Sequence, residues 1–129
     1  MKRYERGYKF KSSGEALDYM SRFHYATIKN RHGQGFSLHE LASTLRIGEF
    51  ATDGPYKIYE HKEGVSDAVL MPSTGLGEGM TAGEALDLIS ESEDLAVAGS
   101  DGEVVCFRER KGQFTIGGMV SSAPFKKVE

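Results

Sequence analysis

Ala16, Leu17, Met20, Phe23, Thr27 and Ile28 fall on one arc at 100° per residue, with Glu15, Asp18, Arg22 and Lys29 opposite. That pattern predicts an amphipathic helix from Ser13 to about Lys29. Leu38, Leu41, Ala42 and Leu45 keep the same spacing and predict a short second helix ending near Arg46. Ala85, Leu86 and Ile89 mark a third, from Ala82 to about Glu91. Alternation with period two predicts strands over Tyr4 to Lys11, Tyr56 to His61, Val65 to Met71, Leu95 to Gly99 and Glu103 to Arg108. Gln113 to Val120 is expected to add another strand to the last meander. Asp101-Gly102 marks its hairpin, since a type I′ turn wants positive φ at both central residues.

Three helix starts carry the pattern of a hydroxyl cap followed three residues later by glutamate: Ser12-x-x-Glu15, Ser37-x-x-Glu40 and Thr81-x-x-Glu84. The hydroxyl accepts from a free N–H of the first turn, and the glutamate reaches back to the cap's own N–H. Ser12-x-Gly-Glu-Ala-Leu-Asp18 and Thr81-x-Gly-Glu-Ala-Leu-Asp87 nearly repeat, and Ser21 matches Ser90. A second helix is predicted after the first copy and a hairpin after the other. We therefore read the match as two helix starts obeying one capping rule rather than as a duplication.

The resulting expectation is an α+β fold, with three helices packed on a mainly antiparallel sheet of about five or six strands. Residues 1–120 are expected to form one domain and residues 121–129 a flexible tail. At 129 residues, 39% hydrophobic and 27% charged, the composition is that of an ordinary globular chain. The apolar run Ala68 to Met71 stops at Pro72, far short of a membrane span. The N-terminus is charged from Lys2 onward, and a single cysteine forms no internal disulfide, so a cytoplasmic location is expected.

Charge changes the picture. The net charge of −3 conceals a basic opening: residues 1–33 carry eight Lys/Arg against three acids. Between Ser73 and Phe107 there are eight acids and no base. Glu84, Asp87 and Glu91, spaced i, i+3 and i+7, form an acidic stripe on the third helix, with Glu93, Asp94, Asp101 and Glu103 following. A negative stretch without counter-ions is a docking surface for a basic macromolecule. The reading that follows is a small non-enzymatic binding or inhibitor protein acting through residues 78–103 on a protein partner with a basic surface. The alternative is nucleic-acid binding through Lys2, Arg3, Arg6, Lys9, Lys11, Arg22, Lys29 and Arg31. The first five are interleaved with Tyr4, Tyr8 and Phe10, a mixture that binds phosphates and stacks on bases.

Other chemistry is weaker. Gly77-x-Gly79-x-x-Ala82, with Asp101 about twenty residues on, fits a loose dinucleotide pattern. No Lys or Arg lies near it, Glu78 would sit in the cradle, and Pro72 interrupts the preceding strand, so the nucleotide site is rejected. His24 sits on the apolar arc of the first helix, and His32, His39 and His61 lack metal-ligand spacing. Cys106 alternates with Val104 and is expected to be a buried, inert thiol. A recognition helix does not follow residues 38–46, so a helix-turn-helix is rejected as well. No catalytic residues, metal or cofactor are expected.

Overall fold

The computed structural model describes residues 4–23, 25–41, 43–61, 79–92, 94–110 and 112–128. The expected strand Val65 to Met71, most of the glycine-rich loop before Ala82, and His24 lie outside them. The class is α+β, but the architecture differs from one sheet under three helices. Among the described residues there are six helices and two three-stranded antiparallel sheets.

Helix α1 spans Ser13–Arg22 and helix α4 spans Ala82–Glu91. Ser12 caps α1 by accepting from the Glu15 N–H at 3.0 Å. Glu15 then reaches past the cap, and its Oε1 accepts from the Lys11 N–H instead. Only Thr81 closes the full reciprocal box, with the Glu84 N–H donating to Thr81 Oγ1 and the Thr81 N–H to Glu84 Oε1. At the third start the Ser37 hydroxyl donates to the Glu40 carboxylate, and the helix that follows, α2, covers only Leu38–Leu41.

The long first helix expected to reach Lys29 stops at Arg22, where the Phe23 N–H closes on the Tyr19 carbonyl. Ala26–Lys29 is strand β1, with Ala26 and Ile28 buried and Thr27 and Lys29 turned outward. Thr27 and Ile28 satisfy a helical arc and a strand alternation equally well, and their β-branched side chains favour the strand. Gly35–Phe36 is β2, Ile47–Thr52 is helix α3, and Lys57–His61 is β3. The expected first strand, Tyr4 to Lys11, contributes a single bridge, Lys9 opposite Lys57, at the edge of β3.

After α4 come β4 (Ala96–Ala98), β5 (Val104–Cys106), α5 (Phe107–Arg110), α6 (Ile116–Ser122) and β6 (Lys126–Val128). The expected strand Gln113 to Val120 is therefore mostly helix. Thr115 caps α6 by accepting from the Gly118 N–H, and Ile116, Met119 and Val120 bury at i, i+3 and i+4. The segment expected as a flexible tail carries the end of α6, the fully buried Phe125 and strand β6, which pairs with β4.

The two sheets have the orders β2-β1-β3 and β5-β4-β6. Every element of residues 12–60 returns 69 positions later, in the same order, without a gap. The likeness of the two helix starts is thus one part of a whole-unit repeat, which a shared capping rule alone does not explain. The second helix and the hairpin, expected to distinguish the copies, occur in both.

The repeats meet at α1 and α4. Asp87 accepts from Ser12 Oγ at 2.7 Å and the Gly14 N–H at 2.9 Å. Asp18 accepts from Thr81 Oγ1 at 2.7 Å and the Gly83 N–H at 2.9 Å. Gly14 and Gly83 lie where the helices touch, and a Cβ on either would strike the other's carbonyl oxygen. A second reciprocal pair joins α3 and α6: the Ile47 N–H donates to the Phe114 carbonyl, and the Ile116 N–H to that of Leu45. Leu17, Met20, Leu86, Ile89, Ile116 and Met119 are fully buried in one continuous core drawn from both repeats.

Candidate functional site

The acidic residues do not share one environment. Asp87 is turned into the helix crossing just described. Asp94 pairs with Arg108 at 3.4 Å, and Glu103 pairs with Arg110. Both arginines sit on α5, just beyond the stretch that reads as base-free. Asp101 accepts from the Glu103 N–H at 3.0 Å and from Ser122 Oγ at 2.9 Å. The first of these bonds, then the second, hold its carboxyl below the usual value. Glu84 and Glu91 remain exposed on α4, and Glu93 lies outside the described residues.

A groove of about 590 Å³ runs over the α1–α4 crossing, with Glu15, Asp18, Glu84, Asp87 and Arg22 among its lining. Its four carboxylates are already occupied. Glu15 accepts from Lys11 and the Tyr8 hydroxyl, Glu84 from Thr81, and the two aspartates grip the opposite helix. Burial and the bond to Glu15 push the Tyr8 phenol up to about 12, so it stays protonated. These groups hold structure together. Among the described residues no set of His, Cys, Asp and Glu could hold a metal ion.

A smaller cleft, about 420 Å³, has the opposite character. Lys9, Lys29, Arg31 and Lys57 line it together with Asn30, Gly33 and Pro55, and no carboxylate does. The sheet builds it. Lys57 on β3 lies opposite Lys29 on β1 and is bridged on its other side to Lys9, so three neighbouring backbones each present a lysine. Arg31 follows from the β1–β2 turn. There Gly33 takes φ +81°, a conformation closed to most side chains. Among the described residues no ion pair engages any of the four cations, and the nearby Asp53 faces His32 at 3.8 Å. Four like charges in one concavity repel, and a bound polyanion relieves that repulsion.

The arrangement gathers Lys9, Lys29 and Arg31 from the predicted basic set. Arg6 stands next to them, over the Tyr59 ring at 4.9 Å, where Lys29 Nζ also lies at 4.0 Å. Arg22 lines the acidic groove instead, Lys11 is exposed beyond the bridge, and Lys2 and Arg3 lie outside the described residues. Lys57 and Tyr59 were missed. Their alternation in the strand Tyr56 to His61 put both on its outer face, but only the β1–β3 register shows which cations they meet.

Cys106 departs from expectation. In β5 the inward residue is Val105, while Val104 is half exposed and Cys106 is partly covered. One residue of register reverses which side chains face the core. No helix among the described residues is long and apolar enough to cross a membrane. No protein-family model matches the chain, nor does any curated protein or solved structure.

Proposed function

We propose that this is a non-enzymatic binding protein whose cationic cleft takes the backbone of a single-stranded nucleic acid. The observation that supports the reading is the convergence of Lys9, Lys29, Arg31 and Lys57 around one concavity with no lining carboxylate. A single cysteine fits a reducing, cytoplasmic setting for such a protein.

Fluorescence anisotropy with a labelled single-stranded oligonucleotide tests it. Each phosphate neutralised contributes a slope of about −0.7 to log K against log salt for single strands. The wild type should therefore lose affinity steeply with salt, and the double variant Lys29→Ala/Lys57→Ala should bind at least about 10-fold more weakly, with a shallower slope. Salt-independent binding, or unchanged binding by the double variant, rejects the proposal.

A second reading keeps the acidic face of α4 as the docking surface for a protein with a basic surface, supported by the exposure of Glu84 and Glu91. Reversing Glu91 to lysine, and leaving Glu84 and Asp87 intact because they hold the Thr81 cap and α1, should sharply weaken capture of that protein from the native host. Unaffected capture rejects this reading.

A further inference from the structure

Resting on the cleft reading, we infer that the site recognises phosphate groups alone, and that Tyr59 is a positioning residue for Arg6 and Lys29 rather than a platform for bases. Base recognition needs either a free aromatic face or a polar side chain aimed at base edges. Among the described residues, the aromatic ring beside the cleft already carries two cations, and the one amide lining it is used in a turn.

The opening aromatics expected to stack on bases stack on one another. The Tyr4 ring lies 4.1 Å from that of Tyr8 and 5.0 Å from that of Tyr19, and Phe10 is buried against the same group. Tyr56 is buried on Phe50, and its hydroxyl donates to the Phe50 carbonyl at 2.6 Å. Tyr25 packs against His39 just before β1, four residues from Lys29 and so roughly 13 Å away along an extended chain. That leaves Tyr59, which already holds two cations within 5 Å of its centroid. A base stacking there competes for the ring with the charges that the cleft needs.

The polar side is equally occupied. Asn30 is the one amide lining the cleft. Its Oδ1 accepts from the His32 and Gln34 N–H groups, and its Nδ2 donates to Gln34 Oε1. Those bonds hold the β1–β2 turn and leave little for reading a base edge. Arg31 Nε already donates to His32 Nε2 at 3.3 Å, and what the cleft chiefly offers is charge, which reads phosphate.

The test uses the full-length protein and three probes of equal charge: an oligothymidylate, an abasic phosphodiester of the same length, and inorganic polyphosphate. All three should compete within about threefold of one another, since the backbone term carries the affinity. Tyr59→Phe, which keeps the ring, should bind as the wild type does. Tyr59→Leu should weaken all three probes alike by about 2- to 5-fold, the size of an exposed cation–π contact. That loss should shrink in a Lys29→Ala background, which a merely structural role for the ring would not do. If oligothymidylate binds more than tenfold better than the abasic and polyphosphate probes, phosphate-only recognition is overturned while the cleft reading stands. If no probe binds, the cleft reading itself falls. An undiminished Tyr59→Leu effect in the Lys29→Ala background overturns the positioning role.

Discussion

Residues 12–60 and 81–129 run through the same helices and strands at a constant displacement, yet they have kept different things. Where the copies touch, they match: Gly14 and Gly83, Glu15 and Glu84, Leu17 and Leu86, Asp18 and Asp87. On the outer face of the sheets they part. Lys29 and Arg31 in the first copy correspond to Ala98 and Ser100 in the second, although Pro55 and Pro124, and Lys57 and Lys126, agree. A self-complementary contact explains the first group. Each residue there faces the other copy's equivalent region, so a change on one side leaves a partner unsatisfied on the other. The outer faces have no such tie, and one of them has gathered cations while the other has not.

The sharpest break of the helix contact is Gly14→Ala or Gly83→Ala. The new methyl would strike backbone, which cannot rotate away, and overpacking of this kind costs about 3 kcal/mol or more. Urea denaturation should show both variants severely and similarly destabilised. A loss confined to one would mean that the two sides are not equivalent. Next in size are Asp18→Ala and Asp87→Ala. Each strips the acceptor from one hydroxyl and one helix N-terminal N–H, with an expected loss of about 2 kcal/mol. Similar losses for the two would support the symmetry, and a difference well beyond 1 kcal/mol would break it.

The sequence carried this symmetry only in part. The shared motif at Ser12 and Thr81 was legible because capping has a local signature. The rest of the repeat was hidden by substitutions that keep burial and lose identity, such as Ile28 for Val97, Phe50 for Met119 and Tyr56 for Phe125. Reading Ala26–Lys29 as helix and Gln113 to Val120 as strand then made the flanks look unlike. Short elements resist local reading because four to seven residues satisfy either period. For the cleft, the sequence supplied Lys9, Lys29 and Arg31 but not Lys57, which enters through long-range strand pairing. It supplied the aromatic residues too, though not that they are spent on each other.

The divergence of the outer faces is tested by equivalent lysines. Lys57→Ala should weaken oligonucleotide binding by about 3- to 10-fold, the loss of one backbone contact at moderate salt, while Lys126→Ala should leave it unchanged. Equal losses would place the binding surface across both copies and dissolve the contrast between them.

The smallest expected difference lies in the two equivalent turns. In the first, the neutral Asn30 side chain accepts from the His32 and Gln34 N–H groups; in the second, the carboxylate of Asp101 accepts from Glu103 and Ser122. Both turns place glycine at positive φ, Gly33 at +81° and Gly102 at +86°, and Asp101 does not take the positive φ that a type I′ turn would require. Only the second turn titrates through its acceptor. Because the Asp101 pKa is lowered on folding, its contribution is present above the ordinary carboxylate value of 3.8 and is lost as pH falls through the folded-state value. Asp101→Asn should therefore lower the urea midpoint slightly at neutral pH and flatten its decline between roughly pH 5 and pH 2. Asn30→Asp, placing a carboxylate in the first turn, should steepen that same decline. If Asp101→Asn left the acid limb unchanged, the second turn would gain nothing from its charge, and the two turns would be as alike energetically as they are in backbone.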